Sequence, residues 1–189
     1  MNEVDFKTEI EQEYSDDSLL NLVSYGADLS VRELINMFNE KELVKPDLQR
    51  NYVWDKKIAS RFIDSILLGL PVPSIFLAKD IDEKLLIIDG FQRITTLVDF
   101  YAGIFSKTGR LFRLHNSDLI NERWRNKTFA ELLPEYQRRI KNYTLHAIIF
   151  ERKSKHEMLS HQQDTKKHYR IRIIIWKETY WDYLFNKHL

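Results

Sequence analysis

A short polar cluster contains the residue types that bind phosphate. The cluster comprises Asp89, Gly90, Gln92, Arg93, Thr95 and Thr96. The arginine can hold phosphate oxygens in a bidentate geometry, and the carboxylate can bind a hard divalent cation. The glycine lets the backbone approach a ligand closely, because it has no side chain. We therefore interpret the cluster as a candidate site for a phosphate or a metal-bound nucleotide.

The residues on either side of the cluster predict a strand followed by a helix. Residues 85–88 form a short apolar run of the length of a buried strand. Residues 94, 97, 98 and 101 are apolar or aromatic at helical spacing. A helix that begins at this turn would direct its first N–H groups at a bound anion. The alternative remains open that Asp-Gly is a hairpin turn and that Thr95 and Thr96 only begin a helix.

A second candidate segment, residues 46–54, shows no helical periodicity and predicts an ordered loop. Gln49 and Arg50 are hydrogen-bond donors, and arginine can bind phosphate oxygens. Tyr52 and Trp54 offer flat faces on which a base can stack. The alternative is that both aromatic residues anchor the core and that Arg50 pairs with an acid. We favour the core role for Trp54.

Composition limits the classes of protein to consider. The 189 residues are 43% hydrophobic and 30% charged, which suits one domain with appendages. A formal net charge of +1 argues against polyanion binding by the whole molecule. The lack of cysteine excludes disulfides and thiolate metal sites. No secretory signal or membrane-spanning run is present, so we expect a cytoplasmic protein.

Local patterns predict a mixture of helices and strands. Predicted helices cover residues 31–41 after a Ser30 capping box, 55–68 after an Asp55 cap, 94–101 and 129–141. Predicted strands cover residues 43–44, 75–78, 85–88, 111–114 and 143–150, with 75–78 and 85–88 as an antiparallel hairpin. Residues 1–29 are expected to be an acidic, partly disordered lead-in with a short apolar turn at residues 19–23.

Two motifs together resemble a known family. Residues 46–54 read Pro-Asp-Leu-Gln-Arg-Asn-Tyr-Val-Trp, and residues 88–97 read Ile-Asp-Gly-Phe-Gln-Arg-Ile-Thr-Thr-Leu. This pair resembles the DUF262 domain, the N-terminal part of GmrSD-type and SspE-type restriction proteins, over residues 30–151. The resemblance implies an α+β fold like that of ParB and sulfiredoxin, a small mixed sheet with helices packed around it. It also implies nucleoside triphosphate binding, with hydrolysis in several relatives that controls attack on modified phage DNA.

The resemblance also assigns roles by position. The implied nucleotide-binding residues are Gln49, Arg50, Gly90, Arg93, Thr95 and Thr96. The implied catalytic residues are Asp89, Gln92 and Arg93, with Asp89 as the metal ligand. The implied cofactors are GTP or ATP with Mg²⁺. As partners, DNA, a nuclease subunit and a second copy of the chain stay open, whereas a membrane is not expected.

The chain departs from the family pattern in two places. Phe91 stands where the Asp-Gly-Gln-Gln-Arg motif has its first glutamine. Residues 30–152 form the family-like domain, but residues 153–189 do not follow the family pattern and no His-Asn-His nuclease domain is present. We hypothesise that this basic, aromatic tail arose by truncation or frameshift.

Two rival functions remain open. One is a ParB-like DNA-binding module whose basic face comprises Arg123, Arg125, Lys127, Arg138, Arg139 and Lys141. The other is an inactive remnant that docks to a partner. A further Gln-Arg pair, Gln137-Arg138, shows that this dipeptide alone has little predictive value.

Overall fold

The fold is built on a mixed five-stranded sheet. A computed structural model describes residues 22–45, 52–80 and 82–152. The strands are β1 (Leu22–Ser30), β2 (Leu43–Val44), β3 (Ile75–Lys79), β4 (Leu85–Asp89) and β7 (Thr144–Arg152). Their order in the sheet is β1-β7-β3-β4-β2. The pairs β1–β7 and β3–β4 are antiparallel, whereas β3–β7 and β2–β4 are parallel.

Four helices in the described part of the chain contribute to one core with the sheet. They are α1 (Val31–Asn39), α2 (Lys56–Leu68), α3 (Phe91–Ala102) and α4 (Pro134–Asn142). Strands β5 (Ile104–Phe105) and β6 (Arg110–Leu111) form a separate small hairpin after α3. The largest buried cluster joins helix residues such as Ile63 and Leu97 to sheet residues such as Leu77 and Ala147. The predicted α+β class is confirmed, and the likeness to ParB and sulfiredoxin stays a prediction.

Capping residues begin α1 and α2 where the sequence predicts. The Ser30 hydroxyl accepts from the Glu33 N–H, and the Asp55 carboxylate accepts from the Ile58 N–H. Both contacts satisfy an otherwise unpaired N–H of a first helical turn. Helix α2 ends at Gly69, which adopts the left-handed conformation with φ of 76°.

Three local predictions differ from the structure. Strand β1 occupies residues that the sequence assigns to the lead-in; its Ser24, Gly26 and Asp28 have low strand propensity, and its pairing partner β7 lies far along the chain. Helix α4 begins at Pro134 rather than at residue 129, because proline fits the first turn and disrupts a helix interior. Strand β6 covers only Arg110–Leu111 instead of residues 111–114.

Candidate functional site

The turn between β4 and α3 brings the predicted cluster together. Strand β4 ends at Asp89, and α3 begins at Phe91. Between them Gly90 has φ of 98°, a left-handed conformation that favours glycine. A Cβ at Gly90 would lie 2.9 Å from the Cβ of Ile75 and closer still to its Cγ2. The turn is therefore packed against β3 and leaves no room for a side chain.

Arg93 fastens this turn to the loop before β3. One terminal nitrogen, Nη1, donates to the carbonyls of Pro73 at 2.6 Å and Ser74 at 3.2 Å. The other, Nη2, donates to Oδ2 of Asp89 at 2.8 Å. Burial lowers the pKa of Arg93, and the Asp89 carboxylate opposes this effect. With only 11% of its side chain exposed, Arg93 is largely committed to these contacts.

Asp89 is the accessible acid of the site. Its side chain is 30% exposed, and one of its oxygens accepts from Arg93. Among residues 22–45, 52–80 and 82–152, no cluster of three or more acidic or imidazole side chains could hold a metal ion. Mg²⁺ does not require such a cage, because it commonly binds one or two carboxylates together with substrate phosphates and water. The donor set at Asp89 fits that mode.

Gln92 holds the segment that follows residues 46–51. Its side-chain oxygen accepts from the backbone N–H groups of Val53 at 2.8 Å and Trp54 at 3.2 Å. On the other side of that segment, Nζ of Lys107 donates to the Val53 carbonyl at 2.6 Å. Val53 and Trp54, the last two residues of the motif, are thus fixed on the first turn of α3 by hydrogen bonds to their backbone. Sequence reasoning did not identify Lys107, since nothing local marks it.

The two threonines have different surroundings. Thr96 is fully buried, and its hydroxyl donates to the Gln92 carbonyl and lies 2.8 Å from the hydroxyl of Tyr52. Burial raises the pKa of Tyr52 to about 12. Thr95 is 7% exposed, and its hydroxyl has no hydrogen-bond partner among the described residues. Leaving a buried hydroxyl without a hydrogen bond costs about 1–3 kcal/mol. We therefore expect the Thr95 hydroxyl to have a hydrogen-bonding partner.

The aromatic residues of the first motif anchor the core. Trp54 packs edge-on against Phe62 with ring centroids 5.6 Å apart, which confirms the core role favoured for it. Tyr52 packs against Phe105 at 5.5 Å. Both rings are half-buried and pack against the main core.

Gln49 and Arg50 lie outside the described residues. The described residues that flank residues 46–51 both contact α3. Nζ of Lys45 lies 5.0 Å from the centre of the Phe91 ring, and Tyr52 contacts Thr96. Lys45 and Tyr52 therefore lie at the same helix as the candidate site.

The residues of the rival basic face are partly engaged elsewhere. Arg125 pairs with Asp118 at 3.0 Å and donates to the Ile120 carbonyl. Lys141 lies over the rings of Tyr101 and Phe129. Arg123, Arg138 and Arg139 are exposed. These contacts leave fewer cations free to follow a nucleic acid backbone than the sequence suggests.

Comparison with known proteins gives one match. A family model described as GmrSD restriction endonuclease, N-terminal domain, matches residues 31–189. No curated protein and no solved structure matches the chain. The match runs past Arg152 to Leu189, and the origin proposed for residues 153–189 stays a prediction. Within the described residues, no helix is both long enough and apolar enough to span a membrane.

Proposed function

Because this chain belongs to the family of GmrSD restriction endonuclease N-terminal domains, we propose that it binds a nucleoside triphosphate within a restriction and phage-defence system. The proposed site is the turn from Asp89 to Thr96. The single observation that carries the proposal is a glycine turn at a helix start combined with the buried Thr95 hydroxyl, which has no hydrogen-bond partner within residues 22–45, 52–80 and 82–152. A helix start attracts anions, and a buried hydroxyl needs a hydrogen-bonding partner.

The helix start at Gly90 and the Asp89 side chain beside Arg93 contribute to triphosphate binding in different ways. Gly90 packs against Ile75 in a left-handed turn that leads into α3, and α3 offers its positive end to the phosphates. Asp89, half-buried beside Arg93, would hold Mg²⁺ through a carboxylate oxygen. When bound, the ion neutralises charge on the phosphate oxygens.

Gln49 and Arg50 form the opposite wall in this proposal. Support comes from their flanks, since Lys45 contacts Phe91 and Tyr52 contacts Thr96 on α3. Arginine suits this role because its planar group binds phosphate oxygens in a bidentate way. Gln92 supports the chain that follows them, since its oxygen accepts hydrogen bonds from the backbone of Val53 and Trp54.

Arg93 acts mainly as a positioning residue. Three of its hydrogen bonds go to Pro73, Ser74 and Asp89. A guanidinium group has five N–H donors, so two remain for a phosphate oxygen. We propose that Arg93 sets the orientation of Asp89 and contributes to phosphate binding through the remaining donors.

Hydrolysis of the triphosphate is the second part of the proposal. Phosphoryl transfer depends mostly on positioning and on stabilising charge, which this turn would supply without a covalent intermediate. Asp89 is the residue proposed to orient the attacking water or the ion that activates it. Phosphate release in the presence of Mg²⁺ measures this step separately from binding.

The test is calorimetry with ATP, GTP, CTP and UTP in the presence of Mg²⁺. We expect one or more of them to bind the wild-type chain, and Arg50→Ala, Asp89→Asn and Thr95→Val each to weaken the affinity by about tenfold, the loss of one charged or buried hydrogen bond. Arg138→Ala is the matched control, because Arg138 also follows a glutamine but is exposed on α4. Equal binding by all five proteins, or no binding by any of them, would exclude this site.

The alternative of DNA binding has its own signature. A module that contacts the phosphate backbone loses affinity steeply as salt increases. Tight, strongly salt-dependent DNA binding with no response to nucleotides would favour the basic face over the α3 turn.

A further inference from the structure

The sheet has two faces, and the described helices cover only one of them. Leu43, Ile75, Leu77, Ile87 and Ala147 point to the helical side and belong to the main core. The alternating residues of the same strands point to the opposite side, here called the second face. The second face comprises Val44, Phe76, Ala78, Leu86, Ile88, Ile148 and Phe150. Every one of these side chains is apolar.

The second face is shielded from solvent at its centre. Ala78 is 0% exposed and Leu86 is 5% exposed, and they form a small cluster with Val44, Ile88 and Phe150. The rings of Phe76 and Phe150 stack with centroids 6.4 Å apart. No described helix contributes to this cluster. A leucine on a sheet face open to water would not be shielded to this degree.

Shielding is not uniform across the second face. Toward β1 the same side of the sheet carries Ser24, Asp28 and His146, which are all exposed. Asp28 and His146 form a solvent-facing pair with 2.9 Å between Oδ1 and Nδ1. The boundary between polar, exposed residues and apolar, shielded ones runs between β1 and β3. Such a boundary is expected where a covering segment ends.

We propose that residues 153–189 pack on the second face over β3 and β4 and complete the domain as its missing layer. These residues follow directly on β7, whose Phe150 lies on that face beside Ala78 of β3. Their last part is rich in large apolar side chains that themselves need burial: Ile171, Ile173, Ile174, Ile175, Trp176, Trp181 and Phe185. The family match also extends through this segment to Leu189.

Other candidate occupants fit less well. Residues 1–17 carry seven acids and one base, a composition suited to water rather than to an apolar face. The flanks of residues 46–51 contact α3, on the helical side of the sheet. A second copy of the chain would have to displace whatever shields Leu86 within one chain. The C-terminal segment is therefore the occupant that the face favours.

Thiol labelling tests this proposal cleanly, because the chain has no cysteine of its own. Ala78→Cys places a thiol on the second face, and Ala147→Cys places one on the helical face; both alanines are 0% exposed. In the full chain we expect both thiols to be protected from Ellman's reagent. In a chain ending at Arg152 we expect the thiol at position 78 to react at least about tenfold faster, while the thiol at 147 stays protected.

Several labelling results would overturn the proposal. One is unchanged protection at position 78 in the shortened chain. Another is exposure caused by deleting residues 2–21 instead, and a third is protection that weakens on dilution, as a second copy would require. If both thiols react in the shortened chain, the domain has unfolded, and the next experiment decides.

Hydrogen exchange in the full chain provides that decision. We expect slow amide exchange within residues 171–185 and a loss of this protection in Leu86→Glu, which places a charge under the cover. Ser24→Glu is the matched control, since Ser24 is exposed on β1, and should leave the protection unchanged. Fast exchange of residues 171–185 in the wild-type chain, or equal behaviour of the two variants, would contradict the proposal. It would instead favour a tail that arose by truncation or frameshift.

Discussion

The chain contains the same dipeptide near the start of two helices, Gln92-Arg93 on α3 and Gln137-Arg138 on α4. Both glutamines hold a loop to the first turns of their helix. The oxygen of Gln92 accepts two backbone N–H groups, whereas the nitrogen of Gln137 donates to the carbonyls of Phe129 and Leu132 at 3.2 and 3.1 Å. The glutamines are therefore similar in kind, and they do not distinguish a binding site from an ordinary helix start.

The difference lies in the arginines and in what precedes the helix. Arg93 is buried against two carbonyls and an acid, and Arg138 is exposed. Helix α3 follows a strand through a left-handed glycine, whereas α4 follows Leu133 and begins with a proline. Burial of charge beside a packed backbone turn, rather than the dipeptide, therefore marks the candidate site.

The largest expected effect on stability comes from adding a side chain at Gly90, in the turn before α3. Gly90→Ala should reduce the free energy of unfolding by about 3 kcal/mol, since it combines a left-handed backbone with a clash against Ile75. Gly109→Ala is the control, because Gly109 also has positive φ but nothing lies within 4 Å of its added Cβ. That variant should lose about 1 kcal/mol in urea denaturation. Equal losses would show that packing against Ile75 is unimportant.

The next largest expected effect is the difference in stability loss between the alanine variants of Arg93 and Arg138. Arg93→Ala removes the hydrogen bonds to Pro73, Ser74 and Asp89 and should lower the free energy of unfolding by about 2 kcal/mol. Arg138→Ala should change it by less than about 0.5 kcal/mol, as is usual for an exposed residue. Urea denaturation of the two variants measures both values. If Arg138→Ala lost as much stability as Arg93→Ala, the two helix starts would not differ in the role of their arginines.

Much of the α3 turn follows from local pattern. The apolar run before Asp89, the glycine and the helical spacing from Ile94 onward predict the strand, the turn and the helix that the structure shows. What could not be predicted depends on distant partners. The carbonyls of Pro73 and Ser74 engage Arg93, and Lys107 fixes Val53 across 54 positions in the chain.

Strand β1 shows the same limit in the fold. Its residues 23–30 alternate apolar and polar or small side chains as a half-buried strand does, but only the ladder with the distant β7 shows where this strand pairs. Local pattern does not predict the cover proposed for the second face either, because the continuous apolar runs of β3 and β4 predict two apolar faces without saying what covers each.

The glutamines provide a test in which stability and binding separate. Gln92→Ala and Gln137→Ala should each lower the free energy of unfolding by about 1 kcal/mol, since each loses hydrogen bonds to backbone groups. Only Gln92→Ala should also weaken nucleotide affinity, because it releases the backbone next to Gln49 and Arg50. Denaturation and calorimetry on the same samples check this. A weaker affinity in Gln137→Ala would show that the effect is general rather than local.

The two regions also contain acids whose pKa values shift in opposite directions. On α3, burial raises the pKa of Asp99 above its ordinary 3.8, although hydrogen bonds from Ser106 partly offset it. Before α4, the hydrogen bond from Arg113 holds the pKa of Glu131 below its ordinary 4.5, with a further contribution from the Thr128 N–H. Their contributions to stability must therefore change with pH in opposite senses.

The smallest expected effect is this opposition in pH dependence. A raised pKa means that the Asp99 contribution is complete below about pH 3.8 and is lost as pH rises through its folded value. A lowered pKa means that the Glu131 contribution is complete above about pH 4.5 and is lost as pH falls through its folded value. The free energy of unfolding of wild type minus that of Asp99→Asn should thus fall as pH rises from about 4. The free energy of unfolding of wild type minus that of Glu131→Gln should instead fall as pH drops below about 4.5. Urea denaturation at several pH values measures both slopes, and slopes of the same sign would contradict the assignment of burial to Asp99 and ion pairing to Glu131.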